Sequence, residues 1–128
     1  MRLLLDTHIA LWAIVDDGAL PQRARSLITE ARNTVYISSV SIWEIAIKHA
    51  LSRKGMPISG SEALHWFRIA GYTELPVTSA HAVETENLPA LHTDPFDRML
   101  VAQSLAEPLR LLTGDATLGP YSDTVIVV

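Results

Sequence analysis

Four acidic residues lie at the ends of predicted strands or near the starts of predicted helices. They are Asp6, Glu44, Asp97 and Asp115. In a right-handed parallel α/β sheet, the carboxyl ends of the strands and the starts of the helices that follow them share one edge. We therefore expect Asp6, Glu44 and Asp115 to meet at that edge. Asp97 joins them if its helix runs antiparallel to the strand that follows it.

Convergent carboxylates suit a hard divalent cation. Magnesium prefers oxygen ligands, keeps several waters and usually binds one or two carboxylates directly. Such a site lowers the pKa of water and stabilises both oxygens of an in-line phosphodiester displacement. Two divalent cations would neutralise four carboxylates, but the sequence does not distinguish one ion from two. We expect the hydroxyls of Thr7 and Thr113 to hold a carboxylate or a water on the metal; strand-end β-propensity is the alternative.

Each acid also has a structural explanation. Ser41-Ile42-Trp43-Glu44 fits a capping box, and Asp94-Pro95-Phe96-Asp97 offers an N-cap at Asp94 with an acid that suits the helix dipole. Asp6 and Asp115 could cap the turns that follow them. Four carboxylates at one edge repel one another, however, and capping requires no such crowding. The shared edge therefore favours a metal site, while Asp94 is assigned as an N-cap.

Strands and helices alternate along the chain. The predicted strands cover residues 3–5, 34–38, 72–77, 109–113 and 124–128, and the predicted helices cover 8–15, 22–32, 41–53, 61–70, 79–87 and 95–107. This alternation predicts an α/β fold with three layers, in which a mainly parallel sheet of about five strands is covered on both faces. Without an internal repeat or a linker-like stretch, residues 1–128 are expected to form a single domain.

Composition narrows the class of protein. The 128 residues include no cysteine, which excludes disulfides and thiolate zinc sites, and the histidines lack metal-ligand spacing. No segment is apolar for long enough to span a membrane and no signal peptide is evident, so a cytoplasmic protein is expected. The net charge of −4 counts against a nucleic-acid substrate unless bound cations change the local charge.

The basic residues and the histidine near the four acids are expected to have structural roles. Lys48, Arg53 and Lys54 lie at the end of the predicted 41–53 helix, where basic residues complement the helix dipole. Arg98 is expected to pair with a neighbouring acid. Contact with a phosphate is the alternative for these basic residues, and structural packing is expected for His8.

Five stretches of the sequence resemble the PIN-domain ribonucleases, specifically the VapC-type toxins of type II toxin–antitoxin pairs. They are LLLDTHIALW (3–12), ISSVSIWEIAIKHALSRKG (37–55), LPVTSAHA (75–82), LPALHTDPFDRMLVAQSLAE (88–107) and LLTGD (111–115). The combination of DPFDRMLVAQ with the early LLLDTH is highly specific, whereas LLTGD alone means little.

The resemblance implies a PIN-like fold and a metal-dependent endoribonuclease. Its metal-binding and catalytic acids would be Asp6, Glu44, Asp97 and Asp115, and a water activated by Mg²⁺, or by Mn²⁺ as a substitute, would hydrolyse RNA. The resemblance also implies a cognate antitoxin, whose C-terminal segment covers the groove, and a homodimer.

Two other functions compete with the nuclease. A receiver-type signalling module would carry paired acids after the first strand and a lysine after a late strand, but a single Asp6 follows the first strand and no lysine occurs after Lys54. A metal-dependent phosphatase would show a D-x-D motif, but position 8 is histidine. A degenerate, binding-only domain would not be expected to keep all four acids.

Overall fold

The protein is a parallel five-stranded sheet with helices on both faces. The computed structural model describes residues 1–52 and 55–128. The strands are β1 (Arg2–Leu5), β2 (Thr34–Ser38), β3 (Thr73–Leu75), β4 (Arg110–Thr113) and β5 (Ile126–Val127). They lie in the order β3-β2-β1-β4-β5, and every neighbouring pair is parallel. The predicted α/β class and five-stranded parallel sheet are confirmed.

The helices alternate with the strands as predicted. They are α1 (Thr7–Ile14), α2 (Gln22–Thr29), α3 (Ser39–Ala50), α4 (Gly60–Ile69), α5 (Ser79–Glu84) and α6 (Pro95–Ala106). Short 3₁₀ helices cover Thr85–Asn87, which extends α5, and Ala116–Tyr121, which follows β4. None of the described helices has the length and apolar character needed to cross a bilayer.

The central strand β1 is buried on both faces, which explains its continuous apolar run. Leu3 and Leu5 belong to one hydrophobic core, which includes residues of α1, α2, α3 and α4. Leu4 points to the other face and belongs to a second core, which includes residues of α6. Since successive strand residues face opposite sides, the run Leu3-Leu4-Leu5 joins the two cores of a three-layer structure.

The helix that carries Glu44 begins earlier than the sequence pattern predicts. Ser38 caps α3 by accepting a 3.0 Å hydrogen bond from the Val40 N–H, so Glu44 lies in the second turn and not the first. The predicted capping box between Ser41 and Glu44 is therefore wrong. Serines at 38, 39 and 41 are all plausible caps, and Ser38 is the one at which the extended strand ends.

The end of α2 also differs from prediction. Helix α2 ends at Thr29 instead of residue 32, and Asn33, which follows it, has no left-handed backbone conformation. Its side-chain amide instead donates to the Leu27 carbonyl and its oxygen accepts from the N-terminus. The predicted helical and basic positions Arg53 and Lys54 lie outside the described residues.

The strand order reverses between β1 and β4. From β1 the chain proceeds to β2 and β3 on one side, then returns through α6 to β4 on the other side. The carboxyl ends of two strands at such a reversal border a crevice where ligands of open α/β sheets bind. Asp6 follows β1 and Asp115 follows β4.

Candidate metal centre

A cleft of about 470 Å³ opens at the carboxyl edge of the sheet. All four predicted acids line it, together with Asp94, Lys48 and His8. The remaining lining residues are Ile9, Trp12 and Gly114. The acids come from positions as far apart as 6 and 115, which the fold brings to one side of the sheet. Helix α6 begins at this edge, so Asp97 lies with the others.

Asp6 is fixed at the base of the cleft. Its Oδ1 accepts a 2.7 Å hydrogen bond from the Thr7 N–H, which caps α1, and its Oδ2 accepts a 2.6 Å bond from the Thr113 hydroxyl. The residue is buried, and this burial raises the pKa of Asp6 above its ordinary value despite the two hydrogen bonds. Capping and metal binding are compatible here, because each carboxylate oxygen has a second lone pair.

The carboxylate of Glu44 is buried, and only one of its two oxygens has a partner among the described residues. Its Oε2 forms an ion pair with Lys48 one turn later on α3, while its side chain is 5% exposed. Its Oε1 is buried and has no hydrogen-bond partner among the described residues. An orphaned buried carboxylate oxygen is costly, so this atom requires a cation or a donor that the described protein residues do not supply.

Asp97 carries a carboxyl group with a strongly raised pKa. Asp94 is the N-cap of α6, as predicted, and accepts hydrogen bonds from the N–H groups of Phe96 and Asp97. Asp97 therefore lies in the first turn of α6. Burial, reinforced by the negative charges of Asp6 and Asp94, raises the pKa of Asp97 to about 7. Such a carboxyl resists ionisation unless a cation is near.

Asp115 lies at the more exposed side of the cleft. Its Oδ1 accepts hydrogen bonds from the N–H and the hydroxyl of Thr117, at 2.9 and 2.6 Å. These bonds hold the pKa of Asp115 below its ordinary value. Its Oδ2 faces the ring of His92 at 3.4 Å. Asp115 therefore stays ionised where Asp97 resists ionisation, so the two carboxylates are electrostatically different.

The two threonines contact the cleft differently. The Thr113 hydroxyl donates to Asp6 and accepts from the Asp115 N–H at 3.0 Å, so it connects the carboxylates that follow β1 and β4. The Thr7 hydroxyl instead donates to Ser41 Oγ at 2.9 Å, which ties α1 to α3 near Glu44. Only the backbone N–H of Thr7 contacts a carboxylate of the cleft.

Sequence reasoning missed two residues of the site. His92 lies beside Asp97 and Asp115, and the three side chains offer ligand atoms within 4.8 Å of one another. It lies in a loop without periodicity, so no sequence pattern indicated its position. Lys48, for which a helix-dipole role was predicted, enters the cleft as the partner of Glu44. Its i, i+4 spacing from Glu44 was a usable signal.

The role expected for Arg98 is wrong. Its guanidinium pairs with no acid among the described residues and instead donates to the Tyr121 hydroxyl and to backbone carbonyls. Those carbonyls belong to Thr85, Leu88, Pro89 and His92. Five fixed N–H groups allow guanidinium to satisfy several carbonyls at once. Arg98 thus fixes the loop before α6.

The donor set of the cleft fits a hard divalent cation. Carboxylate oxygens from four separate elements face a cleft that contains a single lysine side chain among its described lining residues. Burial is the main cause of the raised pKa values of Asp6 and Asp97, and neighbouring carboxylates add to both; this repulsion and the unpartnered Glu44 Oε1 indicate a deficit of positive charge. A donor set made mainly of carboxylate oxygens favours Mg²⁺ or Mn²⁺ over zinc.

Comparison with known proteins agrees with the geometry. A family model described as the PIN domain matches residues 3–119, while no curated protein matches the sequence. PIN domains are nucleases that generally use divalent metals.

Solved structures share the fold over the whole chain. A chain of VapBC2 from Rickettsia felis, bound to a DNA fragment from its promoter, aligns with a TM-score of 0.70 at 19% identity, covering 100% of this chain and 98% of that one. FitAcB from Neisseria gonorrhoeae aligns with a TM-score of 0.62 at 17% identity, covering 98% of this chain and 96% of that one. A domain of a functionally unknown protein from Methanocaldococcus jannaschii aligns with a TM-score of 0.61 at 13% identity, covering 99% of this chain and 90% of that one. With its fold, its acidic cleft and the match over residues 3–119, the chain belongs to the PIN domain family.

Proposed function

We propose that this protein is a metal-dependent endoribonuclease and the toxin of a type II toxin–antitoxin pair. It hydrolyses RNA phosphodiester bonds in the cytoplasm, using Mg²⁺ or Mn²⁺ held by Asp6, Glu44, Asp97 and Asp115. The PIN family membership supports a nuclease, and the similar VapBC2 and FitAcB structures support an antitoxin partner.

The observation that carries the proposal is the unsatisfied negative charge of the cleft. Glu44 keeps a buried oxygen without a partner among the described residues, and burial, together with the negative charges of Asp6 and Asp94, raises the pKa of Asp97 to about 7. Carboxylates that only cap helices have no reason to converge in this way. A bound divalent cation removes the repulsion and turns an unfavourable cluster into a binding site.

A divalent ion bound here would lower the pKa of a water molecule and offset the charge of the scissile phosphate. The protein's own contribution is positioning. Asp6 is held by Thr7 and Thr113, and Asp115 by Thr117, so neither carboxylate reorients when substrate arrives. The reaction adds water across a P–O bond, leaving a phosphate on one fragment and a hydroxyl on the other, without a covalent protein intermediate.

A groove between α3 and α4 supports the antitoxin partner. It has a volume of about 640 Å³, and its apolar lining includes Ile42, Trp43, Ala46 and Leu64. Trp43, which lines the groove from α3, is 61% exposed, and Trp66, on α4 outside this lining, is 48% exposed. Exposed aromatic side chains beside an apolar groove suit an amphipathic segment of a partner. We also propose that the protein forms a homodimer, and this part of the proposal rests on the family resemblance alone.

Cleavage of RNA by the purified protein tests the enzymatic proposal. We expect fragments of a single-stranded RNA in millimolar Mg²⁺ or Mn²⁺, no fragments in EDTA, and loss of cleavage in Asp97→Asn. Asp123→Asn, a change outside the cleft, is the control and should stay active. Cleavage that persists in EDTA, or full activity of Asp97→Asn, would contradict the proposal.

Expression in a bacterial host tests the biological role. The chain should arrest growth when expressed alone, and co-expression of the neighbouring upstream reading frame should relieve the arrest. The Asp97→Asn variant should permit growth in both cases. Growth arrest that the Asp97→Asn variant also produces would indicate toxicity unrelated to the cleft.

A further inference from the structure

His92 lies beside the cleft, next to two of the proposed metal ligands. Its Nε2 is 3.4 Å from Asp115 Oδ2 and 3.7 Å from Asp97 Oδ2, and its side chain is 21% exposed. Two roles fit this position. The ring could bind the metal through a lone pair on Nε2, or it could direct an N–H at the two carboxylates.

The backbone of Asp94 distinguishes between these roles. The Asp94 N–H donates a 3.1 Å hydrogen bond to His92 Nδ1. A backbone N–H can only donate, so Nδ1 must carry a lone pair, and the proton of the neutral ring is on Nε2. A lone pair on Nε2 would require the proton on Nδ1, facing the Asp94 N–H. The geometry therefore disfavours His92 as a ligand and favours it as a donor.

The loop that carries His92 is held in place on its other side. Arg98 Nη1 donates to the Pro89 carbonyl at 2.9 Å and to the His92 carbonyl at 3.4 Å, and Nη2 donates to the Thr85 carbonyl at 3.0 Å. Both the backbone and the ring of His92 are thus anchored to the first turn of α6. The ring cannot turn its Nδ1 to the cleft without losing the Asp94 bond.

We propose that His92 is a positioning residue, a neutral imidazole whose protonated Nε2 lies 3.4 Å from Asp115 Oδ2 and 3.7 Å from Asp97 Oδ2 and offsets the repulsion between the two carboxylates. This inference rests on the proposed function, because the two carboxylates matter as metal ligands there. The N–H dipole lowers the repulsion between the carboxylates without adding a full charge that would compete with a cation. In other metalloproteins, residues that do not bind the metal orient the carboxylates that do, and His92 has the same role here.

Nitrogen NMR of the full-length chain tests the tautomer directly. In metal-free ¹⁵N-labelled protein at pH 8, the His92 signals should report a protonated Nε2 and an unprotonated Nδ1, and they should keep this pattern in saturating Mg²⁺. The spectrum of a His92→Gln variant assigns the signals by their loss. A proton on Nδ1, or loss of the Nε2 proton when Mg²⁺ binds, would overturn the proposal.

Manganese affinity, measured by electron paramagnetic resonance, tests the consequence. We expect His92→Ala to weaken Mn²⁺ binding by about 10-fold, and His92→Gln to recover most of this loss because the glutamine N–H reaches the same position as Nε2. The control is His65→Ala, on the exposed side of α4.

The two measurements separate the inference from the proposed function. Unchanged Mn²⁺ affinity in His92→Ala, or equal losses in the alanine and glutamine variants, would overturn the positioning role while wild-type binding upheld the metal site. If the wild-type protein itself bound no Mn²⁺, the proposed function would fail, and the positioning role toward a metal site would fail with it.

Discussion

The Thr113 hydroxyl donates a 2.6 Å hydrogen bond to Asp6 Oδ2, which joins the last residue of β4 to the residue that follows β1, 107 positions earlier in the chain. The same hydroxyl accepts the Asp115 N–H. A single side chain at the end of β4 therefore sets the positions of the groups that follow both central strands. We expect removal of the Thr113 hydroxyl to lower metal affinity more than it lowers the stability of the fold.

Thr113→Val removes this hydroxyl while keeping the size of the side chain. Asp6 would lose one of two hydrogen bonds, and we expect Mn²⁺ affinity to fall by about 10-fold. Thr113→Ser keeps the hydroxyl and should bind Mn²⁺ within a few-fold of wild type. Equal affinities for the valine and serine variants would show that the hydroxyl does not orient Asp6 for the metal.

The raised pKa of Asp97 predicts a pH dependence of the metal-free protein. The unfolded chain has the ordinary carboxyl pKa of 3.8 and the folded one about 7, so folding favours the protonated form. This contribution to stability is fully present below pH 3.8 and is lost as the pH rises through 7. In EDTA, the melting temperature should therefore fall between pH 5.5 and 8 on this account.

Asp97→Asn provides the matched variant for that measurement, because asparagine resembles the protonated acid. The difference in melting temperature between variant and wild type should grow in favour of the variant from pH 5.5 to pH 8. Ionisable groups that do not contact Asp97 contribute equally to both proteins and cancel in the difference. A difference that stays constant with pH would contradict the perturbed carboxyl.

Lys48→Met tests the ion pair in the cleft. Without the ammonium, the buried Glu44 carboxylate loses its partner, and we expect the metal-free protein to lose about 1–3 kcal/mol of unfolding free energy. Saturating Mg²⁺ should restore most of this loss, because the cation can take over the charge of Glu44. A loss of the same size with and without Mg²⁺ would indicate that Lys48 acts independently of the metal.

Gly60→Ala tests the close contact between α3 and α4. A Cβ at Gly60 would lie 2.9 Å from Ala46 Cβ, so we expect a loss of about 1–3 kcal/mol in urea unfolding. Gly18→Ala is the control, because a Cβ there meets no atom within 4 Å. Similar stabilities of the two alanine variants would show that the helices adjust at no cost.

The sequence predicted the elements whose signals are local and strong. The predicted strand over residues 34–38 matches β2 residue for residue, and the predicted strand over residues 3–5 lies within β1. The start of α3 was misplaced because several adjacent serines can cap a helix. Only the strand that precedes them decides which one does so.

The site was predictable where it depends on the ends of strands and the starts of helices, which supplied all four acids. Asp6 and Asp115 follow neighbouring strands, so parallel topology alone brings them to one edge. The position of His92 depends instead on a loop that Arg98 anchors through hydrogen bonds to backbone carbonyls. Any residue type supplies a backbone carbonyl, so these bonds cannot be predicted from residue types or their spacing. The same bonds explain why Arg98 was wrongly expected to pair with an acid.

Calorimetric titration of the metal-free protein with Mn²⁺ tests the central claim most directly. Wild type should show saturable binding, and Asp97→Asn and Asp6→Asn should each lose most of it while remaining folded. Absence of wild-type binding at millimolar Mn²⁺, or unchanged binding in both variants, would contradict a metal centre built from these carboxylates.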